Sequence, residues 1–278
     1  MKIKRIGVAL KEGCCIDGAD LAIQALEKEG KLFDAVVAIR EMNEPYPKNL
    51  LHLPQIVDIT KRIKSEVRKV LDEGNFPLTF GGDHALAIGS IGASSSKDLA
   101  VLWVDAHGDC NTDETTITGR IHGMPLAILL GHGNQELLDI VQPNYLDPSN
   151  VILFGIRDLD EMEEKSIRDW GVTMYTMKDI QTIGLKQALQ EVSQKIGSKK
   201  LHLSFDLDSM NPAVIKAVNT PVADGFSIEE ATEIISTIFT TCNVQSMDVV
   251  EYNPTRDDGT TSSVIEKIDR LVQTKKGE

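Results

Sequence analysis

The sequence predicts an α/β protein built as a single domain on a mainly parallel sheet of about eight strands, and three observations predict it. Short apolar runs alternate with helix-patterned segments almost to the end of the chain, the signal for βαβ units. The intervening segments carry apolar residues three or four apart, the spacing of one helix face. No internal repeat, low-complexity tract or Pro/Ser-rich linker divides the 278 residues. In chain order the predicted strands are IKRIGVAL, DAVVAI, FPLTF, LAVLWV, NVILFGI, VTMYTM, KLHLSF and VQSMDVV. Ile56, Ile59, Ile63, Val67 and Val70 mark the first long helix, and EKSIRDW, LKQALQEVSQKIG, SIEEATEIISTIF and SSVIEKIDRLV mark later ones. Ser227 followed by Glu230 is the pattern of a capping box at a helix start.

Composition narrows the partners. With 41% hydrophobic residues the chain can bury a sizeable core. A net charge of −13 argues against nucleic acid, whose binders carry a basic face, and favours cationic small molecules. The apolar segment after MKIKR is too short for a signal-peptide core, and no stretch approaches the roughly 20 apolar residues of a membrane helix. The expectation is a cytoplasmic protein with no membrane partner. Cys14, Cys15, Cys110 and Cys242 show no Cys-x-x-Cys spacing, so buried or half-buried free thiols are expected rather than disulfides or a thiolate zinc site.

Ligands of open parallel sheets sit beyond the carboxyl ends of the strands, and acids and histidines follow three of the predicted strands. GGDH follows FPLTF, DAHGD follows LAVLWV, and DLDSMNP follows KLHLSF. In extended chain, alternate side chains share a face, so Asp105, His107 and Asp109 project together, as do Asp206 and Asp208. Alone, GGDH describes a turn with a helix cap and DAHGD a solvated loop. Together they gather Asp105, Asp109, Asp206, Asp208, His84 and His107 without a nearby lysine or arginine in sequence. Buried unneutralised, four carboxylates would be very costly, whereas two divalent cations balance them. Oxygen-rich ligation with some imidazole suits Mn²⁺ or a related ion, and zinc or iron is compatible with the same ligand types. His52, His132 and His202 lack such partners in sequence, and core or surface roles are expected for them.

The segments GGDHALAIG, DAHGDCNT, GRIHGMPLA, SFDLDSMNP and MDVVEYNP, in that order over residues 81 to 254, resemble the ureohydrolase family, and within it the arginases. The resemblance implies one ureohydrolase domain over residues 1–278, a three-layer α/β/α fold and two Mn²⁺ ions per chain. It also implies hydrolysis of L-arginine to L-ornithine and urea by a metal-bridging hydroxide. One metal would take His84, Asp105, Asp109 and Asp206, and the other Asp105, His107, Asp206 and Asp208. It further implies a homo-oligomer, trimer or hexamer.

A guanidinium carbon is a poor electrophile, so the reaction needs hydroxide at neutral pH. A two-metal site lowers the pKa of bound water from about 15.7 towards about 7. Asp109 would accept a hydrogen bond from that nucleophile and relay its proton. By resemblance, Glu251 holds the guanidinium and His122 shuttles protons. Asn111 and Thr118 would meet the α-carboxylate, Asp160 the α-amino group, and Thr220 the guanidinium end. Three departures from the family pattern stand out. Asn211 replaces an aspartate just outside the metal ligands, where outer contacts tune affinity. Asn219 replaces a glycine, which a left-handed backbone would accommodate. KEGCCIDGADLAIQAL lacks the usual Gly-Pro and arginine. The alternatives are an agmatinase or another guanidino-compound ureohydrolase, a non-catalytic binding homologue, and a deacetylase of the related fold.

Overall fold

The computed structural model describes residues 1–277 and contains one eight-stranded sheet. The strands are β1 (Ile3–Ala9), β2 (Ala35–Ala38), β3 (Phe76–Gly81), β4 (Ala100–Val104), β5 (Val151–Ile156), β6 (Thr173–Thr176), β7 (Lys200–Asp206) and β8 (Asn243–Val250). Each grows from one of the eight apolar runs. Their order across the sheet is β2-β1-β3-β8-β7-β4-β5-β6, and every neighbouring pair is parallel.

Parallel sheets need cover on both faces, and the helices supply it in two layers. Every residue of β3, β4 and β5 is buried. On one face the helix Leu53–Asp72 buries Ile56, Ile59, Ile63, Val67 and Val70 against a core that contains Val101, Trp103 and Leu153. On the other face Leu189, Val192, Ile235 and Ile265 meet Phe80, Leu102 and Phe205. Full burial of each such side chain contributes about 1.5–3 kcal/mol. The result is the expected three-layer α/β/α arrangement. Among the described residues no helix is long and apolar enough to cross a membrane.

Local signals act where the sequence placed them. Ser227 Oγ accepts the Glu230 amide at 3.1 Å and Glu230 accepts the Ser227 amide at 2.8 Å, so the capping box starts the helix Ile228–Thr241. All four cysteines are free, Cys14 and Cys110 buried and the other two half-buried.

His202 departs from expectation in having partners. Its Nδ1 lies 2.8 Å from Ser246 Oγ and its Nε2 3.2 Å from Asp248 Oδ2, all three residues being buried. The register pairs His202 with Ser246 and Ser204 with Asp248, so β7 and β8 carry a polar strip through an otherwise apolar layer. Its role is still a core role. His132 stacks on Trp170 with centroids 4.0 Å apart, and His52 packs against Tyr46.

The strand order positions the site. β3, β8, β7, β4 and β5 are consecutive neighbours, so the chain segments that leave their carboxyl ends converge over the middle of the sheet.

Candidate metal centre and active site

The segments leaving those five strands wall a cleft of about 220 Å³. Two cups of ligand atoms lie at its floor. In the first, His84 Nδ1 stands 3.2 Å from Asp105 Oδ2, 3.1 Å from Asp109 Oδ2 and 3.0 Å from Asp206 Oδ2. In the second, His107 Nδ1 stands 3.4 Å from Asp105 Oδ1 and 3.1 Å from Asp208 Oδ2. The groups His84–Asp105–Asp109 and Asp105–His107–Asp208 each have the compactness to hold a metal ion. Asp105 thus gives one oxygen to each cup. Asp206 presents Oδ2 to the first, while its Oδ1 accepts the Asp208 amide at 2.7 Å.

The donor set fits a divalent cation. His84 is 1% exposed, and its Nδ1 makes no hydrogen bond although three carboxylates surround it. Its other nitrogen is satisfied by Ser204 Oγ at 2.8 Å, and the ring lies flat on Trp103, 4.1 Å away. A buried nitrogen aimed at oxygens without a bond, its partner nitrogen held from behind, is the arrangement of an imidazole ligand. Trp103 Nε1 donates to Asp105 Oδ2 at 2.9 Å, and the His107 amide donates to Oδ1 at 2.7 Å. These contacts lock the shared carboxylate.

Local backbone explains how the side chains reach the floor. Gly82 admits the close approach of Ala19, whose carbonyl would sit 2.0 Å from any Cβ there. Asp83, in the same GGDH turn, does what the cap reading of that motif predicts. It accepts the Ala85 amide at 2.9 Å and the Cys14 amide at 2.7 Å. His84 alone of the pair enters the metal cups. Asp109 and Glu251 have φ of 48° and 64°, left-handed values that non-glycine residues hold only when packing over-determines them.

Electrostatics matches the crowding. Before metal enters, burial and the Asp105 charge push Asp109 up to about 6, and burial and Glu251 push Asp83 up to about 6. Burial and the charges of Asp208 and Asp105 raise Asp206 well above the carboxylate range. Burial would lower the His122 imidazole, but Glu251, Asp83 and Asp109 outweigh it and hold it above the ordinary histidine value. His122 Nδ1 is 3.6 Å from Glu251 Oε1.

The four residues that the sequence assigned to the substrate are each tied into the cleft. Asn111 Nδ2 donates to Asp160 Oδ2 at 3.2 Å, and Thr118 Oγ1 accepts the Arg120 amide at 3.2 Å. Thr220 Oγ1 donates to Asp208 Oδ2 at 2.9 Å, tying its loop to the second cup. All four line the cleft together with His122 and Glu251. The segment NTDETTITGR forms an irregular rim above them, Ile117 being 80% exposed.

Sequence reasoning missed several contributors. Asp158 lies 3.8 Å from His107 Nε2. Arg157 gathers the carbonyls of Asp208, Val222, Ala223 and Gly155 at 2.8–3.2 Å, tying the second cup to the opposite wall. Arg120 lines the cleft. GIRDLD and GRIHG offered a cue for each, an arginine or acid beside residues already singled out.

Glu163 was also missed. Its carboxylate is buried, accepts the amides of Cys110 at 2.9 Å and Asp160 at 3.4 Å, and is pushed by burial up to about 7. A raised folded value means that its stabilising contribution is complete below the unfolded value of about 4.3 and is lost as pH rises through about 7. Glu163→Gln, neutral at every pH, is therefore expected to gain stability over the parent at pH 8, on the order of 4 kcal/mol at most, and almost nothing at pH 4.5. Chemical denaturation at the two pH values checks this, and an equal difference at both would refute it.

Of the three departures, Asn219 resolves differently from expectation. Asn219 does not occupy the left-handed region. Its side chain instead enters the site, donating to Glu251 Oε2 at 2.6 Å and Gly82 O at 2.7 Å. Hydrogen bonding, not backbone tolerance, accounts for it. Asn211 Oδ1 accepts the Ala213 amide at 2.9 Å, a turn contact. The amino-terminal segment closes the rear of the site, where Gly13 O accepts the His122 amide at 3.2 Å.

Comparison with known proteins agrees with this geometry. The Arginase family profile matches residues 8–272. The arginase of Staphylococcus aureus (strain MRSA252) is 38% identical over 213 residues, 75% of this chain and 70% of that relative. The native arginase structure from Bacillus caldovelox superposes with a TM-score of 0.89 at 32% identity, covering 100% of this chain and 98% of that one. Entamoeba histolytica arginase in complex with L-ornithine gives a TM-score of 0.87 at 30% identity, covering 98% of this chain and 97% of that one. The chain belongs to the arginase family, and its members are ureohydrolases, hydrolases of carbon–nitrogen bonds in linear amidines.

Proposed function

We propose that the chain hydrolyses the guanidinium group of L-arginine to L-ornithine and urea, with two Mn²⁺ ions held by His84, Asp105, Asp109, Asp206, His107 and Asp208. One observation carries the reading: four buried or nearly buried aspartates surround two imidazoles, one of which directs an unbonded nitrogen at three carboxylates. When bound, the two ions supply the positive charge that lets a water molecule become a nucleophile at neutral pH.

The chain's own residues do the rest. Glu251 receives the guanidinium through paired charge-assisted hydrogen bonds and holds its carbon over the cups. Asp109 accepts a hydrogen bond from the attacking water and carries its proton to the departing nitrogen. His122, whose proton the surrounding acids hold more tightly than an ordinary imidazole's, delivers a proton to the leaving amine and recovers one from solvent. Thr220 orients Asp208. Asn111, Thr118 and Asp160 receive the amino-acid end.

Arg120 favours arginine over agmatine. Among the described residues it is the one permanently cationic side chain lining a cleft otherwise rich in carboxylates, and agmatine has no carboxylate to meet it. The test is urea release after Mn²⁺ loading, with arginine, agmatine and 4-guanidinobutyrate compared. Arginine is expected to lead. Arg120→Ala should lower kcat/KM for arginine about 10–100-fold, the loss of one charged hydrogen-bond partner, and leave agmatine within about twofold. Equal losses on both would remove Arg120 from tail recognition, and no urea from any of the three would overturn the function.

A further inference from the structure

Glu251 is 1% exposed and stands on a left-handed backbone, yet guanidinium capture requires its two oxygens in one fixed plane. Two protein donors hold it from behind. The His84 amide donates to Oε1 at 2.8 Å and Asn219 Nδ2 donates to Oε2 at 2.6 Å. The other Nδ2 hydrogen of Asn219 goes to Gly82 O at 2.7 Å, while its Oδ1 accepts Asn253 Nδ2 at 2.8 Å. The amide orientation is therefore forced, because a flip would set an oxygen against a carboxylate and a carbonyl. Asn253, itself fully buried, also donates to Asp17 O at 3.0 Å and accepts the Thr255 hydroxyl at 2.6 Å. A relay of two side-chain amides thus runs from the amino-terminal loop to the Glu251 carboxylate.

A carboxylate has about four lone-pair sites. With one site on each oxygen taken by these two donors, and His122 Nδ1 no nearer to Oε1 than 3.6 Å, one site per oxygen is left for the cleft that Glu251 lines, the pattern a bidentate guanidinium requires. We infer that Asn219 is a positioning residue for guanidinium recognition, acting through Glu251 and fixing the plane in which the carboxylate meets its ligand. The inference rests on the proposed role of Glu251 and adds a residue to it. Without the Asn219 donor, Oε2 faces the Gly82 carbonyl with no hydrogen between them and turns away from it, and two-point capture is lost while the amino-acid end of the site is untouched.

The experiment uses the Mn²⁺-loaded protein and two probes, guanidinium ion and L-ornithine, which carries the amino-acid end without a guanidinium. Asn219→Gly and Asn219→Ser are compared with the parent by calorimetry, by KM and kcat for arginine, by metal content and by thermal melting. Asn219→Gly should weaken guanidinium ion and raise KM about tenfold, the effect of one lost charged hydrogen bond, with ornithine affinity within about twofold and metal content unchanged. Asn219→Ser, which keeps one donor, should fall between the two. A parallel loss of ornithine and guanidinium affinity, a loss of metal, or unchanged guanidinium affinity would each overturn the inference. The two failures are separable. A parent that releases no urea defeats the reading of the whole site and this inference with it, whereas an active parent with unaltered variants defeats Asn219 alone.

Discussion

Asp105→Asn is expected to empty both metal cups and to lower urea release by more than about 100-fold. The size follows from a comparison: losing an outer contact to a metal ligand costs about 10–100-fold in affinity or activity, and Asp105 is placed to be an inner ligand twice. Its Oδ2 lies 3.2 Å from His84 Nδ1 and its Oδ1 3.4 Å from His107 Nδ1. Both oxygens also accept, from Trp103 Nε1 and from the His107 amide. An asparagine must turn its NH₂ towards one of those donors, leaving a buried clash of donors that costs about 1–3 kcal/mol, and that same NH₂ repels a cation. Neither orientation rescues both cups. Elemental analysis of the dialysed variant and a urea assay in excess Mn²⁺ measure the outcome. Asp158→Asn is the comparison for an outer contact, because Asp158 lies 3.8 Å from His107 Nε2 with its side chain 65% exposed, and it should cost no more than about 10–100-fold. Two metals retained per chain with full activity would show that Asp105 does not join the two sites.

The residue types and their placement at strand ends pointed to the metal cups, but the alternation of an extended chain did not carry over, because β4 ends at Val104 and Asp105 to His107 lie in a bend. Asp109 reaches the first cup from a left-handed φ of 48° and Asp208 the second from the turn Leu207–Ser209, so turn geometry beyond the strand ends gathers the ligands. The periodicity of Ile56 to Val70 was legible for a local reason and buries the residues it marks. Non-local facts were not. Nothing in the order of segments says that β8 inserts between β3 and β7, although that insertion is what brings Glu251 against the His84 amide. The roles of Arg157 and Glu163 depend on carbonyls and amides of distant segments, which carry no side-chain signature. His202 seemed partnerless because Ser246 and Asp248 lie on another strand, 44 and more residues away. Asn219 shows the reverse error. A glycine position filled by asparagine suggested a backbone property, whereas its side-chain chemistry with Glu251 decides the local structure.

Metal uptake is expected to expel about two protons per chain near neutral pH, and so to tighten steeply as pH rises. Burial alone would push His84 and His107 down, but the carboxylates around each hold both above the ordinary histidine value before metal enters. An imidazole nitrogen can bind a cation only through its lone pair, so each imidazolium must lose a proton on binding. The nitrogen concerned is Nδ1 in both residues, since it faces the carboxylates while Nε2 turns to Ser204 in one and to Asp158 in the other. Raised carboxylates add to the effect, because Asp206 stands well above its usual range and Asp109 near 6. The sign follows directly. Protons and metal compete for the same atoms, so acid favours the metal-free chain and base the loaded one. One proton released per ion gives each site's log affinity a slope of about 1 per pH unit, and a change from pH 8 to pH 6 then costs on the order of 10²-fold per ion and 10⁴-fold for the pair. Chelation should also destabilise the fold, since ligand at 100 times its dissociation constant contributes about 2.7 kcal/mol. Calorimetric titration in two buffers of different ionisation enthalpy counts the protons, and melting with and without chelator measures the linkage. Affinity independent of pH between 6 and 8 would mean that both imidazoles are already neutral, and the carboxylates beside them would then need a different counter-charge from the one their geometry provides.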